Sequence, residues 1–156
     1  MCSKKDILIG NFFMVLWIFL GTLGCFFLNS IIALIYLLFA IVMVYVILRK
    51  MVCTHCYYYD KWCSMGWGKL SALFFKKEEE SFDNCTGIKI APIVYGFLTL
   101  APIACLVVSL LSFSYEKVLV LVLLLAVSMY SGTINRKKAC AKCEMRDRCP
   151  GSAVKS

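Results

Sequence analysis

The chain alternates between long uncharged runs and short charged ones. Four runs are long and apolar: Ile7 to Leu28, Ile31 to Leu48, Ile90 to Phe113 and Val118 to Ile134. None contains Asp, Glu, Lys, Arg or His. A helix needs about 20 predominantly apolar residues to cross a hydrocarbon core of about 30 Å, so each run predicts a spanning helix. The fourth is the shortest and calls for snorkelling flanks or a locally thinned bilayer. A buried core helix is the bland alternative for any one run. Four such runs in so short a chain exceed what a soluble core holds. The links at Asn29-Ser30 and at residues 114–117 are short enough to force tight turns. The predicted architecture is an all-α integral membrane protein with four transmembrane helices. They form two helical hairpins, at 7–48 and 90–134, with a cysteine-rich loop at 49–89 and a cysteine-rich C-terminal tail at 135–156, all within one membrane domain.

Composition agrees. Of 156 residues, 62% are hydrophobic and 17% charged, against about 45–50% and about 25% in soluble domains. Lys4 and Lys5 ahead of the first run resemble the basic start of a signal peptide. That run exceeds the roughly 7–15 apolar residues of such a peptide, and a second span follows at once, so it is expected to be retained. The net charge is +8, and its placement carries more information than its size. If both short links lie on one side, the N-terminus, the loop and the tail share the other. Every Lys and Arg except Lys117 then falls on that second side. The excess of basic residues predicts that this side is the cytosol, which makes the protein multi-pass with both termini cytosolic.

The two halves share a layout: two apolar runs, a basic stop (Arg49-Lys50 or Arg136-Lys137-Lys138), then three cysteines. Duplication about an axis along the membrane normal and convergence both explain it. In the loop, residues 67–77 place Trp67, Leu70, Leu73 and Phe74 on one helical face, flanked by Lys69, Lys76 and Lys77. That pattern suits a helix lying in the membrane interface, or one packed against the cysteine site. Glu78-Glu79-Glu80 is expected to be solvated, and the Asn84-Cys85-Thr86 sequon to be unmodified in a cytosolic loop. Tyr57, Tyr58, Tyr59, Trp62 and Trp67 suggest an interfacial aromatic belt. Pro92 and Pro102 predict kinks in the third span.

Ten cysteines are present. Cys25 and Cys105 fall inside spans, where a cysteine is ordinarily a small buried hydrophobe. Six form two triads: Cys53, Cys56 and Cys63, then Cys140, Cys143 and Cys149. Each opens with C-x-x-C, and the third cysteine follows after six or five residues. Two intervening residues let a tight turn aim two thiolates at one centre, and zinc takes four such ligands tetrahedrally. Zinc is therefore the first cofactor reading, as one shared site or two. Cys85 and His55 are possible extra ligands, although His55 is expected to be a surface residue beside the site.

The triads resemble the C-x2-C-x6-C repeats of fungal binuclear zinc-cluster domains. The likeness covers only the triads, and the DNA-binding role of that family is not carried over. Cys149-Pro150 after a C-x-x-C resembles ferredoxin-type ligation, which makes an iron–sulfur cluster the alternative. Disulfides are disfavoured among cytosolic thiols. Four-helix thiol oxidoreductases of the vitamin K epoxide reductase and DsbB type share only the C-x-x-C spacing, and theirs faces the oxidising side.

The spans offer no ionisable group for a proton pump or transporter and no histidine for a b-type haem. The expected role is non-enzymatic: a metal that staples two hairpins in an adaptor or accessory subunit. Its partners would be the lipid bilayer and a protein or a second copy of the chain, with nucleic acid disfavoured. An iron–sulfur redox subunit at the membrane surface is the rival.

Overall fold

A computed structural model describes residues 4–63, 67–78, 85–111, 114–147, 149 and 151–154. Cys2, Glu79, Glu80, Asn84 of the sequon, Arg148 and Pro150 lie outside the described residues. Four long helices dominate: α1 (Lys4–Phe26), α2 (Ser30–Cys53), α4 (Thr86–Ser109) and α5 (Tyr115–Ala141). A short α3 (Trp67–Phe74) lies in the loop. Among the described residues there is no strand. The four long helices are long and apolar enough to cross a membrane.

Helices α2 and α5 run past the basic residues that were expected to end them. Both contain π-helical turns, at Val42–Ile47 and Arg49–Cys53 in α2 and at Tyr130–Asn135 in α5. Arg and Lys are good helix formers, so a basic stop ends the apolar run without ending the helix. The fourth apolar run is thereby the core of a 27-residue helix. The extensions put Cys53 and Cys140 in the last turns of their helices.

Helix α1 is the central element and packs on α2, α4 and α5, whereas α4 and α5 meet each other more sparsely. The two halves are therefore not packed as equivalents. Buried positions recur at helical spacing: Ala33, Tyr36, Ala40, Val44 and Leu48 on α2, and Val94, Leu98, Pro102 and Leu106 on α4. Large apolar side chains such as Leu8, Phe12, Ile31, Ile93, Leu100 and Leu119 face outward. A soluble bundle would bury such residues, whereas lipid solvates them.

A three-helix lock shows how sequence sets this packing. Pro102 has no N–H, so the carbonyl of Leu98 one turn earlier loses its helical donor. Tyr36 of α2 supplies one: its Oη donates to Leu98 O at 2.9 Å. To arrive there the ring crosses α1 at Gly21, where an added Cβ would collide with the Tyr36 hydroxyl. The proline, the glycine and the tyrosine thus depend on one another, and each lies on a different helix.

The chain links fall at opposite ends of the bundle. At one end Ser109 Oγ donates to Phe27 O at 3.1 Å and Lys117 Nζ donates to Ser109 O at 2.8 Å. At the other, Lys142 pairs with Asp6 at 2.7 Å and Trp67 reaches Asn11 at 2.9 Å. The start of α1, the loop and the tail therefore gather at one end, and Lys117 sits at the other.

Candidate metal centre

The first triad begins where α2 ends. Cys53 is the last residue of the helix, and the Cys56 amide donates to Cys53 O at 3.3 Å, closing a turn. The Tyr59 amide then donates to Cys56 O at 3.0 Å. The second triad repeats this at the end of α5. The Cys143 amide donates to Cys140 O at 3.0 Å and the Arg146 amide to Cys143 O at 3.2 Å. Two stretches of different sequence thus take the same pair of turn hydrogen bonds, and the spacing of cysteines is what they share. Cys149 is held by its amide, which donates to Met145 O at 2.8 Å.

The triads meet. The amide of Glu144 donates to the hydroxyl of Tyr58 at 3.2 Å, joining the two turns across 86 positions of sequence. Cys56 lies within electrostatic reach of Cys63, Cys143 and Cys149. Cys53 lies within reach of Cys56, Cys63 and Cys85. Burial pushes the Cys56 thiol up, the amide of Tyr58 bonded to its sulfur opposes this, and the three neighbouring sulfurs push it up further. Desolvation and mutual repulsion of this kind are what a bound cation would relieve. Cys140 opens the second turn from the last turn of α5. Among the described residues, no group of three or more Cys, His, Asp or Glu side chains closes to metal-ligating geometry.

Arg49 shapes one wall. It is only 5% exposed and caged between aromatic rings, with its guanidinium carbon 4.2 Å from the Trp67 ring centre and 4.7 Å from that of Tyr45. Its Nε is buried without a hydrogen-bond partner. A cation–π contact of this desolvated kind contributes about 2 kcal/mol, well short of the hydration a buried charge gives up. Among the described residues, the groups in electrostatic reach are Cys53, Cys63, Tyr45 and Tyr95, none of them a carboxylate. The cage is itself anchored, because Trp67 Nε1 donates to Asn11 Oδ1 and the Asn11 amide donates to Ile7 O at 2.8 Å.

The two possible extra ligands have other engagements. Cys85 is buried ahead of α4, and its thiol donates to Met51 O at 2.9 Å. His55 is not a surface residue: its side chain is 8% exposed, with Nε2 3.1 Å from Glu78 and Nδ1 3.1 Å from Thr54 Oγ1. Glu78 is thus partnered rather than merely solvated, and its amide also donates to Thr54 O at 3.4 Å. The aromatic cluster likewise divides. Tyr57 and Trp62 are exposed, whereas Tyr58 binds the tail and Tyr59 donates to Phe75 O at 2.7 Å.

Sequence reasoning missed Arg49, which looked like a topological stop, and missed Asn11 and Tyr58 as tethers. A polar residue inside an apolar run was the available signal for Asn11. Nothing in the sequence marks Tyr58 apart from its neighbours.

Comparison with known proteins adds no relative: no family model matches the chain, and no curated protein or solved structure matches it either. Fold and composition define the class, an all-helical protein with four helices suited to crossing a membrane.

Proposed function

We propose that this chain is a multi-pass membrane protein whose two cysteine triads face the cytosol and hold a metal ion, with zinc favoured. The observation that carries the proposal is the convergence of two identically turned C-x-x-C segments from the ends of α2 and α5. Either turn alone is a weak signal. Two turns joined by Tyr58 and Glu144, with Cys56 facing sulfurs of both triads, match the needs of a thiolate site. The donors are soft and suit zinc or an iron–sulfur cluster better than magnesium or calcium. The buried Arg49 adds a fit at the level of charge, since a metal–thiolate centre is anionic and a guanidinium with no carboxylate among its described neighbours lies beside it. Binding would draw the sulfurs inward, with Cys53, Cys56, Cys63, Cys140, Cys143 and Cys149 as the ligand pool. Structural zinc contributes about 10–16 kcal/mol of apparent binding energy in small peptides, ample to fix two hairpins against each other.

The resulting role is structural. A stapled cytosolic end presents a fixed surface to a protein partner or a second copy, as an adaptor or accessory subunit would. On α3, Trp67, Gly68 and Ser71 turn inward while Leu70, Leu73 and Phe74 stay exposed beside Lys69. We assign that outer face to the lipid interface, the inner one to the Arg49 cage. The Cys149-Pro150 step keeps the iron–sulfur redox subunit as the second reading.

Anaerobic purification followed by metal analysis and absorbance tests both. Colourless protein with stoichiometric zinc is expected. Brown protein with iron and acid-labile sulfide would replace the zinc reading with the redox one. Protein free of both metals, with all six triad thiols quickly alkylated in the native state, ends both. With one shared site, Cys53→Ser and Cys140→Ser lower metal content equally; losses confined to one half would mean two sites.

A further inference from the structure

Two cysteines lie far from the triads, at the opposite end of the bundle. Cys25 is one residue from the end of α1 and Cys105 is four residues from the end of α4. With a rise of about 1.5 Å per residue, Cys105 lies only about 6 Å inside its helix end. Cys25 is 1% exposed, and its side chain lies within electrostatic reach of Cys105. The helices cross closely here because Gly24 has no side chain. A Cβ at that position would stand 3.0 Å from Leu106 Cδ1 and 3.4 Å from Pro102 O. Both residues stand as thiols in this structure. Disulfides need cysteines on closely approaching backbones with side chains directed at each other. This crossing supplies the close approach, with Cys25 next to Gly24 and Cys105 next to Leu106, and a pair of merely apolar cysteines does not require it.

We propose that Cys25 and Cys105 form a disulfide that ties α1 to α4 at the extracytosolic end of the bundle. The proposal rests on the orientation given above, which sets this end towards the oxidising compartment and the triads towards the reducing one. The oxidant is a protein or small-molecule disulfide acting by exchange. One cysteine attacks that disulfide as thiolate, giving a mixed disulfide and releasing one partner thiol. The second cysteine then displaces the partner's other sulfur, closing the Cys25–Cys105 bond. Two thiols of this chain are oxidised, and one disulfide of the partner is reduced to two thiols. The same chain would carry a disulfide at one end and thiolate ligands at the other, each matched to its compartment.

The test uses the full chain in the membranes of intact cells. Thiols are trapped with acid, and the denatured protein is treated with maleimide-polyethylene glycol before or after reduction. Two more cysteines are expected to react after reduction than before, and that difference should vanish in Cys25→Ala and in Cys105→Ala. Mass spectrometry of unreduced wild type should show one linked peptide pair, a readout that needs no variant. In parallel, a membrane-impermeant maleimide applied to a Lys117→Cys chain reports which side that end occupies. Free Cys25 and Cys105 with Lys117→Cys labelled from outside would overturn the disulfide and leave the orientation standing. Free thiols with Lys117→Cys labelled only after permeabilisation would overturn both.

Discussion

The two triads share a turn and differ in everything around it. The first is built into the bundle: α2 delivers it, Arg49 lies beside it in a cage of Tyr45 and Trp67, and Asn11 of α1 fastens the cage. The second hangs from the end of α5. Lys142 and Arg146 around it are largely exposed, and it meets the rest of the molecule through the Tyr58–Glu144 bond and the Lys142–Asp6 pair. Arg136 steadies the tail by donating to Gly151 O at 2.7 Å. The difference teaches that the first triad is fixed by its surroundings and the second docks onto it. If a metal is held, the first triad sets where it sits, and the second supplies ligands through contacts that each contribute little.

The largest expected effect is at Arg49, because it separates the half-sites most sharply. A buried guanidinium with no carboxylate beside it among the described residues costs desolvation energy in the metal-free protein. Arg49→Met should therefore leave metal-free stability unchanged or raised. Bound to metal, the thiolates lose their nearby cation, and affinity should fall by about 10–100-fold, the usual range for groups supporting a ligand shell. Arg146→Met, on the exposed side, should change affinity less than about twofold. Competition with a chromophoric chelator reads both. Equal effects from the two variants would erase the asymmetry.

A smaller effect is expected at Tyr58. Tyr58→Phe removes the acceptor for the Glu144 amide, a bond of about 1 kcal/mol in an exposed setting. Metal affinity should fall by up to about tenfold. In metal-free protein Cys143 and Cys149 should alkylate faster while Cys56 is unchanged. Acceleration at Cys56 as well would mean that Tyr58 holds its own turn rather than the joint between the turns.

Much of this was legible in the sequence, and the failures have physical causes. Four helices suited to crossing a membrane follow from hydropathy, because a bilayer imposes length and apolarity on each segment independently. The extension of α2 and α5 to their first cysteines was not legible, since charge ends burial in lipid but leaves helix formation intact. The face of α3 was right in period, and its two expected settings divide: Leu70, Leu73 and Phe74 point outward while Trp67 packs inward. Small Gly68 and Ser71 permit close packing, so of the apolar stripe Trp67, Leu70, Leu73 and Phe74 only Trp67 joins them inward. Arg49 and His55 were misjudged for one reason: their partners, Trp67 and Glu78, come from beyond the turn, and a linear pattern does not carry such contacts. The two matching turns were legible because spacing within each triad is a local property. The cage beside it is not local.

The smallest effect concerns the last contact of the tail. Lys142 and Asp6 lie 2.7 Å apart with side chains 55% and 36% exposed, so water and salt screen most of their attraction. Lys142→Ala should cost no more than about 0.5 kcal/mol, less as ionic strength rises above about 0.15 M. Each charge also has a local reason for its place. Asp6 lies in the first turn of α1 and Lys142 caps the end of α5, the two ends where a helix dipole favours those signs. Exchanging them, with Asp6→Lys and Lys142→Asp together, keeps the pair but sets each charge against its helix. The exchange should therefore destabilise by about 0.3–1 kcal/mol per site. Thermal unfolding in detergent at low and high salt measures it. An exchanged chain as stable as wild type would show that the ion pair itself docks the second triad, and the tail would then have a charge tether comparable to the anchoring of the first.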